Sequence, residues 1–582
     1  MKYLKVLIII CICLIGCQSK EKSSTQIKDE ATLELPKRPN ILWLVTEDMS
    51  AYIPPFGDST VATPNLSKLA SEGVIYPNLY STSGVCAPSR AAIATGMYPS
   101  SIGANHMRVN SYTKERGLPA YEAVPPPNTK MISEWMRSAG YYCTNNYKTD
   151  YQFKAPVTAW DENSPYAHWR NRADKQPFFS IFNFTVTHES GLFEPYGFRE
   201  IETRHYHAGD KNYKWKNFGT SHANNKMTES ETPVHISKDT KFKVPPYLPD
   251  NAVVQRDMWK LYNNIAEMDK QVGVVLKQLE DDGLLDNTII VFYGDHGGPL
   301  PREKRLIYDS GLNTPMIIRF PKKLQAGTKN DQLISFIDFA PTLLSLIGEQ
   351  PKPYMQGKAF LGDYKAEERN YIHAAADRFD AETDVIRAVR DKQFKYIRNY
   401  RPEQAYYLPI TYRERIPAMQ ELLRLRDEGK LNAYQSQWFR DKKPVEELFD
   451  CTVDPYELNN LADDPKYKAQ LHRLRGEMDE WLETIGDNPE IPESELIVKL
   501  WKGNKVQPLT ENPIITFNDN KVSMSCNTIG ASIGYKIIKD DKTPKPWSVY
   551  QNPIQLPKGA KLEVKAHRIG YVPSGIIEKI IK

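Results

Sequence analysis

Three stretches of the chain are almost continuously apolar, and each stops at a polar cluster. Residues 40–45 (NILWLV) run into Thr46-Glu47-Asp48, residues 178–186 (FFSIFNFTV) into Thr187-His188-Glu189, and residues 287–293 (NTIIVFY) into Gly294-Asp295-His296-Gly297. Short apolar runs without alternation predict strands buried on both faces, as in a parallel sheet. Between them, apolar residues recur at helical spacing over 129–139 and 257–280. Strands alternating with helices predict an α/β doubly wound sheet. Ligands of such sheets bind beyond the carboxyl ends of the strands. The three polar clusters are therefore expected to converge on one site.

The pattern divides the rest of the chain. Residues 195–250 are polar, aromatic and nearly aperiodic, which predicts a loop over the mouth of that site. From about residue 365 the texture changes: 386–397 alternates like a strand hairpin, and 465–485 is an amphipathic helix with Pro465 at its start. Residues 488–512, with Pro489, Pro492 and Pro508, read as a linker to a final run of short strands. At the other end, Lys2 and Lys5 precede an apolar run over 6–16, far short of the roughly 20 residues that span a bilayer. It reads as the h-region of a signal peptide. Its end, Leu14-Ile15-Gly16-Cys17, resembles a bacterial lipoprotein signal, which implies lipidation of Cys17, a membrane link through that anchor only, and a place in the cell envelope. The expected division is a leader over 1–16, a polar tether over 17–36, a catalytic domain over 37–365, an α+β subdomain over 366–487, the linker over 488–512 and a small accessory β domain over 513–582.

Composition then excludes several classes. The chain has 582 residues, 40% of them hydrophobic, and a formal charge of only +4, which leaves no footprint for nucleic acid. Of seven cysteines, Cys11 and Cys13 leave with the leader. The four beyond Cys17 are widely scattered and form no CxxC pair, so neither a disulfide framework nor a thiolate zinc site is expected.

The stretch Gly84-Val85-Cys86-Ala87-Pro88-Ser89-Arg90 precedes an alanine-rich segment. Pro88 marks a helix start and places Cys86 at its amino end, where free N–H groups and the helix dipole suit an anion. Spacing alone leaves a structural cysteine equally open. The residues themselves, however, resemble the type I sulfatase signature Cys-x-Pro-Ser-Arg. The resemblance extends in order over residues 38–485, through Tyr308-Asp309-Ser310-Gly311-Leu312-Asn313-Thr314-Pro315, Phe336-Ile337-Asp338-Phe339-Ala340-Pro341-Thr342, and Asp454-Pro455-Tyr456-Glu457-Leu458-Asn459-Asn460-Leu461.

That resemblance implies an alkaline-phosphatase-like fold and hydrolysis of sulfate esters on a carbohydrate. It implies that a formylglycine-generating or anaerobic sulfatase-maturing enzyme oxidises Cys86 to formylglycine, whose hydrate attacks sulfur. It also implies one calcium ion held by Glu47, Asp48, Asp295 and His296 together with residue 86. Glu47 departs from the family's usual aspartate. Arg90 is implied to orient the nucleophile, Lys148 and Lys304 to bind the sulfate, and His188 to serve the leaving oxygen. Asp150 stands where many members carry a histidine, so His106 is expected to take that role or to read the substrate. The tail, with Gly530-Ala531-Ser532-Ile533-Gly534-Tyr535 and Ala566-His567-Arg568-Ile569-Gly570-Tyr571, resembles an accessory domain of bacterial glycosidases, as a spacer or packed on the core. Ulvan, carrageenan and glycosaminoglycans stay open as substrates. A sulfamidase, a phosphatase or phosphonate hydrolase of the same superfamily, and a non-catalytic carbohydrate-binding lipoprotein are the alternatives.

Overall fold

A computed structural model describes residues 35–112, 115–146, 148–197, 230, 232–518, 521–538 and 546–581. The leader, Cys17 and most of the tether lie outside them, as do residues 198–229 and 231 of the expected mouth loop.

The central sheet has nine strands: β1 (Asn40–Thr46), β2 (Val74–Tyr80), β3 (Tyr142–Asn146), β4 (Glu162–Asn163), β5 (Phe178–Phe184), β6 (Thr288–Gly294), β7 (Asn313–Arg319), β8 (Thr328–Lys329) and β9 (Ile334–Ser335). Their order is β4-β3-β5-β1-β6-β7-β2-β8, with β9 also paired to β2. β1 lies at the centre, parallel to both β5 and β6, and every one of its residues is buried. That accounts for its unbroken apolar run. The predicted sheet is thus present, with one difference: β7 runs antiparallel to β6 and β2, so the sheet is mixed.

Register positions the site. Thr46 pairs with Phe184 on one side and with Gly294 on the other. The three strands therefore end at one level, and Glu47-Asp48, His188-Glu189 and Asp295-His296 leave the sheet side by side. Backbone bonds hold the exits together: Glu47 N–H donates to Phe184 O (3.1 Å) and Asp295 N–H to Thr46 O (2.9 Å). The helix Cys86–Thr95 is wholly buried. The helix predicted over 257–280 extends over Ala252–Asp281, its first turn capped by the Asn251 side chain.

The expected hairpin is present as strands Glu382–Arg390 and Phe394–Asn399, within a four-stranded antiparallel sheet, and the predicted amphipathic helix spans Lys468–Ile485 after a 3₁₀ turn at Pro465–Tyr467. The stretch read as a linker contains a helix, Glu493–Leu500, with Pro492 as its N-cap. Glu493 is locked to Arg378 (2.9 Å) and Arg116 (2.7 Å) and accepts from Tyr121 Oη (3.0 Å), so this stretch is fixed against the core. The final residues form a three-stranded and a four-stranded sheet around Val522, Leu562 and Val564. They pack on the catalytic domain. Lys130 Nζ donates to Ser532 Oγ (2.7 Å) and Arg137 Nη2 to Trp547 O (2.6 Å). At Gly570, whose φ is +82°, a Cβ would lie 2.4 Å from Ala123 O.

Candidate active site

Cys86 is the first residue of its helix, after Val85 in extended conformation, and is completely buried. Arg90, one turn on, reaches all three strand exits. Its Nε donates to Asp295 Oδ2 (3.1 Å), Nη1 to Asn183 Oδ1 (2.7 Å) and Nη2 to Glu47 Oε1 (3.3 Å). Ser89 Oγ donates to Asp295 O. Lys148 Nζ lies 2.9 Å from Glu47 Oε1 and 3.5 Å from Asp150 Oδ2. Asp150 Oδ2 in turn accepts from Cys86 Sγ at 3.1 Å. On the other flank, Lys304 Nζ donates to Asp48 Oδ2 (2.6 Å) and lies 3.3 Å from Glu189 Oε1. Arg305 forms a paired fork with Glu189, both bonds at 2.8 Å.

Burial penalises every one of these charges, and neighbours decide the outcome. For Asp48 and Asp150 burial alone would raise the pKa, but Lys304 beside Asp48, and Lys148 and Arg108 beside Asp150, hold both below the usual carboxylate range. Lys148 and Arg90 do the same for Glu47. Asp295 is raised: burial, with the Glu47 and Asp48 charges, outweighs His296 and Arg90. The Cys86 thiol is pushed up to about 12 by burial and by the Asp150 charge.

Asp48, Asp295 and His296 present ligand atoms that all lie within 4.8 Å of one another, and all three are buried. His296 Nε2 is 2.9 Å from Asp48 Oδ1 but not aligned to hydrogen-bond it, and it has no hydrogen-bond partner. Two carboxylates and an unsatisfied imidazole nitrogen suit a divalent cation. Of the five predicted metal ligands, the structure brings these three together. The longer Glu47 side chain faces Arg90 and Lys148, and Cys86 Sγ faces Asp150. His188 sits at the rim, its Nε2 4.0 Å from Asp48 Oδ2 and its Nδ1 2.9 Å from Ser190 Oγ.

The structure does not bring His106 to this group. Its Nδ1 accepts from Arg378 N–H (3.2 Å), and the charges nearest it are Glu493, Asp377, Arg378 and Arg116. Sequence reasoning gave no chemical role to several members, among them Glu189, Asn183, Asp150 and Arg305. Glu189 was visible as the polar end of its run, Asn183 as the one amide inside a buried apolar strand, and Asp150 as the departure after Lys148. A cavity of about 560 Å3 lined by Arg108, Asp150, Gln152 and Lys154 leads to Asp150 and so to residue 86.

Comparison with known proteins follows this geometry. The family model described as Sulfatase matches residues 39–349, and one described as N-sulphoglucosamine sulphohydrolase, C-terminal, matches 294–422. The chain is 72% identical over 579 residues to an ulvan-active sulfatase of Formosa agariphila, covering 99% of this chain and 97% of that one. It is 24% identical over 488 residues to the N-sulphoglucosamine sulphohydrolase of Homo sapiens, covering 76% and 89%. A solved structure in complex with its substrate D-glucosamine-2-N,6-O-disulfate superposes with a TM-score of 0.53 at 18% identity, covering 78% of this chain and 100% of that one, and so shares the fold.

Arg90→Ala should leave the buried Glu47 and Asp295 carboxylates without their shared partner. The expected loss is about 3–5 kcal/mol, the usual cost of breaking a buried pair on one side. Urea unfolding measures it. A loss below about 1 kcal/mol, the worth of a surface ion pair, would show that Arg90 does not hold the strand exits together.

Proposed function

The chain belongs to the sulfatase family and is a sulfuric ester hydrolase, and we propose that it removes sulfate from ulvan, with a formylglycine made from Cys86 as nucleophile and calcium as its metal. The 72% identity over 99% of the chain to an ulvan-active sulfatase carries the substrate reading. The Cys-Ala-Pro-Ser-Arg stretch at a buried helix start supports the nucleophile.

Asp48, Asp295 and His296 would hold the metal, whose charge would draw electron density from the sulfate oxygens, while one hydroxyl of the hydrated aldehyde at 86 would attack sulfur and loss of the proton from the other would then expel inorganic sulfate and restore the aldehyde. The rest falls to this chain's own groups. Free N–H groups at the start of the Cys86 helix attract the anion. Lys148 and Lys304 flank residue 86 and clamp the sulfate oxygens as charge develops. Asp150 fixes residue 86 through its hydrogen bond, and Arg90 fixes the carboxylates behind it. His188 protonates the departing sugar oxygen. The match to the sulphoglucosamine model is confined to residues 294–422 and favours N–S cleavage less than the full-length relative favours a sulfate ester.

Release of inorganic sulfate from ulvan is the direct test. Active enzyme should show formylglycine at position 86 by peptide mass spectrometry, and Cys86→Ala should be inactive though folded. Full activity with only unmodified cysteine would sink the nucleophile, and release from glucosamine N-sulfate but not from ulvan would favour the sulfamidase.

Metal dependence is checked by exhaustive chelation and add-back. Activity should disappear and return with calcium, and Asp295→Asn should lose both bound calcium and turnover. An undiminished rate after chelation would exclude the metal, and recovery only with another ion would replace calcium.

The role of His188 depends on the leaving group. A sugar alkoxide needs a proton, whereas a nitrophenolate leaves without one. General acid catalysis is typically worth about 10²–10⁴-fold, so His188→Ala should slow the sugar sulfate by that order and an aryl sulfate far less. Equal losses on both would assign His188 to holding sulfate instead.

A further inference from the structure

A second cavity, of about 630 Å3, opens where the catalytic domain, the C-terminal subdomain, the Glu493–Leu500 helix and the terminal β domain meet. Its acids are already neutralised. Asp377 and Asp487 are both held by Arg387 (3.0 and 2.6 Å), and Glu493 by Arg378 and Arg116. Its remaining cations are not. Among the described residues, Arg568, Arg401, Lys499 and Lys502 line the cavity with no carboxylate partner.

Arg568 is the telling member. It is only 6% exposed, it lies 4.3 Å over the Tyr571 ring, and its Nε has no hydrogen-bond partner. A buried guanidinium without an anion is costly and calls for one. In the same cavity Asn105, 8% exposed, donates its amide to Asp377 but leaves Oδ1 unsatisfied. An unmet cationic donor and an unmet acceptor in the lining of one cavity match a ligand that carries both an anionic group and hydroxyls. Leu118, Val385 and Leu500 add aliphatic lining, and no Phe, Tyr or Trp ring lines the cavity for a base to stack on, which disfavours nucleic acid.

The position ties this cavity to the catalytic one. Arg116, Leu118 and residues 124–127 line it, while Ala120, Tyr121 and Glu122 of the same segment line the cavity that holds Asp150, the hydrogen-bond partner of Cys86. Gln152 spans the wall from the catalytic side: its side chain donates to Ala104 O (3.2 Å), and its carbonyl accepts from Ala123 N–H (2.9 Å). One layer of chain separates the two cavities. His106, expected to stand in for the family's usual histidine or to read the substrate, lines the second cavity.

We propose that this cavity is a second carbohydrate subsite, which grips an acidic sugar of the polymer through Arg568 while another residue of the same chain presents its sulfate to position 86. The anionic group is a sulfate or a carboxylate. The proposal rests on the reading of a sulfated carbohydrate as substrate.

The test uses the full, matured chain with ulvan, its shortest desulfatable oligosaccharide and an aryl sulfate. Arg568→Gln should raise KM for ulvan about tenfold, as for the loss of one charge-assisted hydrogen bond, with kcat and both small substrates unchanged. Arg401→Glu, at a half-buried position with no ion pair to lose, guards against misfolding and should act in the same direction. Unchanged ulvan kinetics in both variants would overturn the subsite, as would an equal loss on the aryl sulfate. Binding separates this outcome from the functional reading. In a Cys86→Ser background, retention on immobilised ulvan should weaken when Arg568→Gln is added, whether or not ulvan is ever desulfated. Equal retention with and without that change would refute the subsite. Retention of chemically desulfated ulvan by the subsite would identify a carboxylate, and its loss would identify a sulfate.

Discussion

Arg90 hydrogen-bonds to a residue at the carboxyl end of each of three parallel strands: Glu47 after β1, Asn183 in β5 and Asp295 after β6. The three strands end level because Thr46 is in register with both Phe184 and Gly294. Level strand ends put several carboxylates into one buried volume, where they would repel one another. One guanidinium, delivered from the Cys86 helix, makes that arrangement tenable. The same helix carries residue 86, so the contact that makes the buried acids tenable also sets the position of residue 86 against them. Residue 86 and the Glu47 and Asp295 carboxylates are thereby fixed by one helix-to-sheet contact rather than by independent loops.

The sequence was most informative where burial is two-sided. β1, β5 and β6 are covered on both faces, so their runs are almost continuously apolar, and their polar ends identified most of the site. The reversed direction of β7 left no trace, because a buried strand looks the same in either direction. The helix at Glu493–Leu500 was masked by the prolines around it, although Pro492 is its N-cap and not a break. Pairings between distant residues were equally hidden. Glu189 meets Arg305 across 116 positions, and Cys86 meets Asp150 across 64. Neither spacing carries a period. His106 shows the converse. It follows Cys86 by only twenty positions, but the intervening helix and turns carry it to the face where Arg378 N–H binds it.

The terminal domain extends this logic beyond the catalytic sheet. Gly570 approaches Ala123 O so closely that no side chain fits, and Arg137 and Lys130 bind the domain from the same surface. Contacts of that kind make it a wall of the molecule rather than a spacer. The wall contributes Arg568 to a cavity whose other sides come from the core and the subdomain. A tail without a catalytic set of its own can therefore still shape which substrates the core handles.

The charges around residue 86 bear on the nucleophile proposed for it. Glu47, Asp48, Asp150, Glu189 and Asp295 supply five negative charges, and Arg90, Arg108, Lys148, Lys304 and Arg305 supply five positive ones. The group is thus balanced, and a divalent cation would make it two units positive, which suits an anionic sulfate ester. Burial and the Asp150 carboxylate nonetheless oppose a thiolate at residue 86, and together they push the thiol up to about 12. A neutral hydroxyl at the same position adds no charge to desolvate, and Asp150, 3.1 Å from Sγ, already points an acceptor at that spot. The pocket that suppresses a thiolate therefore suits a hydrated aldehyde, and the same carboxylate causes both effects.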